Sequence, residues 1–264
     1  MADGLLEMTK HKRKNLETPN LGSVCKVRLV RSIKGECLEE NEKTITIGEG
    51  NCDWSEMIDS CLESMHAGET CTVEERHPLE KDETLHLELL SFERAKDVWR
   101  LSASELLQLA EYHKVKGTEF FKTGNWLCAA RCYSRAAKML IISQYDLQDE
   151  QKTNYDQLRN ACYLNLAACQ GKLHQNEHVI ANCSKVLQSE DTNIKALYRR
   201  AQAYLELDEI DKSREDIEKA LQVDPGNTAV RDLMSTLKQK KRTQDAVLTR
   251  ALAPMFRSDA QNTQ

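Results

Sequence analysis

Asn165-Leu166-Ala167-Ala168-Cys169 and Tyr198-Arg199-Arg200-Ala201-Gln202 lie in two stretches that fall into register at a spacing of 34 residues, one starting at Asn160 and the other at Ile194. In both, alanine holds the eighth place (Ala167, Ala201), and a helix-breaking end falls near the thirty-second (Asp191, Pro225). A third copy starts at Ala110, where Gly117, Phe120, Ala129, Tyr133 and Ala136 supply small, aromatic, small, aromatic, small. Small residues let two antiparallel helices touch, and large ones fill the gaps beside them. A period of this length, filled this way, is a helix–turn–helix repeat. Three such pairs stack into an array with a shallow concave groove that suits an extended ligand. The first-to-second spacing is 50 rather than 34, and the extra 16 residues, around Ser143 to Gln157, are polar. They predict longer facing helices or a longer turn.

Working outward, the repeats span 110–227, as about 110–143, 160–193 and 194–227. This is the pattern of tetratricopeptide (TPR) repeats, which are interaction modules rather than catalysts. A last helix is expected over 228–257, with Val230, Leu233, Met234 and Leu237 near its start and Val247, Leu248 and Leu252 further on. An array needs such a closing helix because its last repeat leaves an apolar face open. The basic run Lys238-Gln239-Lys240-Lys241-Arg242 on it reads as a solvated face, and residues 258–264 as a tail. Upstream, 95–109 reads as a linker helix, with Ser102 or Ser104 as its cap and Glu105 following.

Residues 21–94 follow a different period. Val24 to Val30 alternates apolar and polar, as a half-buried strand does. Thr44 to Gly48 is a second strand ending in a turn glycine. Trp54 to Met65 has helical spacing, with Met57, Ile58, Cys61, Leu62 and Met65 on one face. Thr70 to Glu75 and Thr84 to Phe92 alternate again. The order strand, strand, helix, strand, strand predicts a small antiparallel sheet packed on one helix, of α+β class. Residues 1–20 read as a disordered tail with a basic run, Lys10-His11-Lys12-Arg13-Lys14.

Composition narrows the function classes. A net charge of −5 argues against nucleic-acid binding by bulk electrostatics. No run of 18 apolar residues is present, so no membrane span is expected. Met1 to Thr18 lacks the apolar core of a secretory signal, which makes a cytoplasmic location the expectation, with the nucleus as a second one. Ten cysteines carry no Cys-x-x-Cys, and without a secretory signal they are expected as free thiols. Cys128 and Cys132 stand i,i+4 on a helix, but no His/Cys cluster completes four ligands, so small core residues are expected rather than a metal site. No cofactor is implied.

Four stretches carry a resemblance to a known family: Cys61-Leu62-Glu63-Ser64-Met65 through Gly68-Glu69; Lys116 to Lys122; Leu164 to Cys169; and Lys195 to Arg200. With the closing Gln244-Asp245-Ala246 and Met255-Phe256, the chain resembles the large FK506-binding immunophilins, as a divergent member, over residues 22 to 257. The resemblance implies a degenerate FKBP-like front domain followed by an all-α TPR superhelix.

It also implies a ligand. TPR domains of this kind hold an acidic chaperone tail ending in Glu-Glu-Val-Asp through a carboxylate clamp of cationic and amide donors. The family's clamp places fall here on Lys114, Thr118, Asn165, Lys195 and Arg199. Thr118 departs from the family's asparagine, and a hydroxyl is expected to donate in its stead. Lys195 and Arg199 are i,i+4 and share one helix face, as do Lys114 and Thr118.

The front domain departs further. Active members rotate prolyl bonds in an aromatic pocket with a Trp floor, a Phe-Asp pair and a Tyr on a long flap. Here the floor place falls on Ile58, residues 34–43 contain no Phe-Asp pair, and 75–82 join the last strands with no tyrosine. His66 and His77 stand isolated in sequence. The expectation is a non-enzymatic co-chaperone adaptor. Its groove takes the C-terminal tail of Hsp90, with Hsp70 as a second candidate, and its front domain brings in a client protein. Nucleic acid and membrane are not expected partners. The alternatives are an active peptidyl-prolyl isomerase recruited to the chaperone by its TPRs, and a TPR adaptor for some other peptide.

Overall fold

Alternation along Val24–Ile33 puts Cys25 and Val27 fully inside and Lys26 and Arg28 outside, and that face of the sheet becomes the core of the front unit. The computed structural model describes residues 6–9, 17–33, 36–50, 55–75 and 83–259. The chain forms two compact units, Met1–Arg100 and Leu101–Gln264. The first holds strands β1 (Leu6–Thr9), β2 (Val24–Ile33), β3 (Glu36–Thr46), β4 (Thr70–Glu75) and β5 (Glu83–Glu93), with helix α1 (Ser55–Ser64) between β3 and β4. All pairings are antiparallel, in the order β1-β4-β5-β2-β3.

Ile58, Cys61 and Leu62 of α1, with Met65 just beyond it, bury against Val27, Val73, Leu85, Leu87 and Leu89 of the sheet. At about 1.5–3 kcal/mol for each large apolar side chain, this one layer carries the unit's stability. The Gly48 turn, at φ 92°, is tied to α1 because its N–H donates to Asp59 Oδ2 at 2.9 Å. Asn20 closes the other end, donating from Nδ2 to the Ala95 carbonyl and to Asp97 Oδ1. The expected tail over residues 1–20 is corrected in two places: Leu6–Thr9 is a strand paired with β4, and Asn20 is anchored. Neither was legible, since four residues are too short for a period and a single asparagine carries no pattern. The basic run at 10–14, Trp54 and His77 lie outside the described residues.

The second unit is helical: α2 (Ala103–Lys122), α3 (Trp126–Ser143), α4 (Asp149–Lys172), α5 (Asn176–Ser189), α6 (Ile194–Glu206), α7 (Ile210–Val223) and α8 (Thr228–Asp259). Ser102 caps α2 in a full capping box with Glu105. The linker helix expected over 95–109 is therefore corrected: Val98–Arg100 is a short 3-10 turn, and Ala103 onward already belongs to the first repeat's helix. Asparagines cap later helices, Asn125 accepting from Cys128 N–H and Asn193 from Ala196 N–H. The small residues of the register sit in the helix contacts, with Ala110, Ala129, Ala136, Ala167 and Ala201 all at most 1% exposed. Gly117 shows why: a Cβ there would stand 3.0 Å from the Tyr133 ring. The polar insertion enters mainly as helix, because α4 begins at Asp149 and runs 24 residues against 13 for α6.

Candidate functional site

The groove is lined by the first helix of each pair. Helix α4 lies between α2 and α6 and touches both. Its residue Cys162 feels Lys114 and Glu111 of α2, and its residue Cys169 feels Arg199 of α6. Burial pushes both thiols up to about 12, with the cations pulling against it. These are inert packing groups, as are Cys128 and Cys132. Among the described residues no group of three or more His, Cys, Asp and Glu could hold a metal ion.

The five predicted clamp residues divide into two kinds. Asn165 is half-buried on α4 and Lys195 is exposed at the start of α6, and neither has a side-chain hydrogen-bond or ion-pair partner among the described residues. Arg199 is half-buried, and its Nη1 donates to the Leu164 carbonyl at 2.8 Å, which seats its guanidinium beside Asn165. Burial holds its pKa below the usual arginine value. A guanidinium has five donors, so one bond to the backbone leaves others for a ligand.

Lys114 and Thr118 are engaged within α2. Lys114 Nζ meets Glu111 Oε1 at 2.7 Å. Thr118 Oγ1 donates to the Lys114 carbonyl at 2.9 Å and pairs with the Tyr133 hydroxyl at 3.0 Å. A hydroxyl has one proton. With that proton on the Lys114 carbonyl, Tyr133 donates to Thr118. The hydroxyl expected to donate to a ligand thus has its proton on the helix's own backbone in this structure. Helical Ser and Thr commonly back-bond to the i−4 carbonyl, and that tendency was the signal available in the sequence.

Beside Arg199 the groove opens into a cavity of about 340 Å³, lined by the apolar Phe121, Ala167, Val179 and Tyr198 and by Lys172 and Glu206. Register reasoning did not find it, because it joins α2, α4, α5, α6 and the α4–α5 turn. His174 holds that turn at φ 56°, a conformation few side chains adopt.

In the front unit a second cavity, of about 430 Å³, lies over the start of α1. Ile58 lines it, as the resemblance implied, together with Leu29, Ile45, Lys43, Glu49 and Asp59. No aromatic side chain is among its described lining residues.

The tetratricopeptide repeat family matches residues 194–227. The chain is similar to the FK506-binding protein-like protein of Rattus norvegicus, at 36% identity over 91% of this chain and 67% of that protein. It is also similar to the peptidyl-prolyl cis-trans isomerase FKBP4 of Mus musculus, at 29% identity over 96% of this chain and 58% of the relative. Among solved structures, it is similar to the C-terminal TPR-containing domain of an FK506-binding protein from Plasmodium falciparum. That match has 25% identity and a TM-score of 0.54, over 57% of this chain and 99% of that domain.

Proposed function

The chain belongs to the FK506-binding protein family, as a member carrying tetratricopeptide repeats, and from that premise we propose that it is a non-enzymatic co-chaperone adaptor. The TPR groove takes an acidic C-terminal tail of the Glu-Glu-Val-Asp type, that of Hsp90 first and of Hsp70 second. The observation that carries this is the set Asn165, Lys195 and Arg199. An amide and an ammonium stand without partners beside a guanidinium seated at the same point of α4. Unpaired donors on one groove wall suit carboxylates, and charge-assisted bonds to carboxylates are the strong kind.

The front unit serves as a second protein-binding surface for a client. Its cavity keeps Ile58 where active relatives place a tryptophan, and among the described residues its lining is aliphatic and charged rather than aromatic. That supports a non-catalytic reading over the alternative of an isomerase tethered to the chaperone. Cytoplasm and nucleus are the proposed locations. No helix among the described residues is long and apolar enough to cross a membrane.

The test is calorimetric titration of the whole chain with a peptide ending Glu-Glu-Val-Asp, against the same peptide amidated at its C-terminus. Binding of the free acid, weakened by amidation, is the expected outcome. No binding, or equal binding of both, refutes the clamp.

A further inference from the structure

The two walls of the groove are not equally available. On the α4–α6 wall, Asn165 and Lys195 have no partners. On the α2 wall the two predicted clamp residues are already matched from within: Lys114 by Glu111, and the Thr118 proton by the Lys114 carbonyl. Glu111 stands one helical turn before Lys114, so the two share a face of α2. Both act on Cys162 of α4, in opposite directions, which places the pair on the α2 side that meets α4. The contact is direct at 2.7 Å, and both side chains keep access to solvent, at 27% and 50% exposure. Lys114 therefore already holds a carboxylate of the kind a ligand would bring.

We propose that Glu111 is a built-in competitor that occupies Lys114, sets the affinity of the groove for acidic tails, and shifts their recognition onto Asn165, Lys195 and Arg199. This deepens the functional reading above and rests on it. An incoming carboxylate gains Lys114 only by displacing Glu111, whose tether makes it always present at high local concentration. Displacement also leaves two like charges close together, the ligand's and the protein's. The α2 wall then contributes little net attraction. The ligand it accepts most readily has its carboxylates at the α4–α6 end and a neutral group opposite α2.

The experiment is Glu111→Gln in the whole chain, titrated with the free-acid peptide ending Glu-Glu-Val-Asp. Glu119→Gln serves as control, because Glu119 is an exposed acid on the same helix whose loss changes the net charge equally and leaves Lys114 paired. Glu111→Gln should tighten binding about threefold to fivefold, the scale of an exposed ion pair. Glu119→Gln should change it by less than about half as much, and on a Lys114→Ala background Glu111→Gln should have no more effect than Glu119→Gln has. Equal tightening by Glu111→Gln and Glu119→Gln would mean that net charge acts, and would overturn the proposal. So would an unchanged affinity in Glu111→Gln while the wild type binds the peptide normally, and in that case the clamp itself stands. No binding by either protein overturns the clamp and the competitor together.

Discussion

Lys195→Ala should weaken binding of an acidic tail by about 1.5–3 kcal/mol, the range for a hydrogen bond to a charged group. It should leave thermal unfolding unchanged, because Lys195 is exposed and has no partner to lose. Arg199→Ala should weaken binding by a similar amount but also lower the melting temperature. Its guanidinium is half-buried and donates to the Leu164 carbonyl, and a hydrogen bond from a charged group contributes about 1.5–3 kcal/mol. Titration calorimetry with scanning calorimetry on both variants checks the split; equal stability in the two would show that the Leu164 bond contributes nothing. Sequence reasoning had treated the two cations alike. The 34-residue register places a residue on a helix face and says nothing of what else that side chain reaches. The same limit hid Glu111, which is simply another surface acid until Lys114 is seen at 2.7 Å from it.

Among elements, α4 and α8 depart most from a plain repeat, and each carries a prediction. The long α4 is tied to the end of α5 through Asn160, whose Nδ2 donates to Glu190 Oε1 at 2.7 Å and to Ser189 Oγ at 3.1 Å. Asn193 donates to the other oxygen of Glu190, and with Asn160 it holds that carboxyl below its ordinary value of 4.5. A depressed carboxylate contributes stability that is present above the unfolded pKa and is lost as pH falls through the folded one. Melting of the wild type should therefore fall further than that of Glu190→Gln as pH is lowered from about 4.5 toward 3. The difference should stay under about 1 kcal/mol, because Glu190 is largely solvated. Parallel acid titrations of the two proteins decide it. In α8, Val230, Leu233 and Leu237 are buried against α6 and α7, whereas Val247 and Leu248 are 65% and 58% exposed. The basic run between them is used rather than merely solvated, since Lys240 pairs with Asp208 at 2.8 Å and reaches the Leu205 carbonyl. Truncation after Asn227 should lower stability markedly, each lost apolar side chain costing about 1.5–3 kcal/mol. Truncation after Gln244 should leave melting nearly unchanged, and equal damage from the two cuts would refute the division of α8 into cap and extension. That division was legible as two apolar clusters separated by charge. The anchoring of Lys240 was not, because the pattern of one helix does not show the carbonyls at the end of another.

For the whole molecule, what the sequence revealed follows from the length of its periods. Repeats of 34 residues and alternating strands repeat often enough to fix the class of each unit, and the core residues Ile58, Cys61, Leu62 and Met65 were readable as one helix face. Pairings between distant segments were not: the β1 strand depends on β4, more than sixty residues on, and the cavity beside Arg199 on side chains from several helices. Catalysis by the front unit belongs to this scale, because it needs a whole pocket rather than one residue. A prolyl bond crosses a barrier of about 20 kcal/mol. Lowering that barrier by shape and desolvation requires a dry apolar enclosure. The cavity over α1 instead has Lys43, Glu49 and Asp59 in its wall, and Ile58 supplies an aliphatic surface where a flat ring would be needed. Charged walls keep water in place, and an aliphatic floor cannot hold a twisted proline face. The full chain should therefore show no rate above background in a protease-coupled proline isomerisation assay, and no heat on titration with FK506. Ile58→Trp alone should not restore activity, because the charged wall would remain. A measurable rate in the wild type, abolished by Ile58→Glu in a variant that keeps the native circular dichroism, would place the chain with the active isomerases.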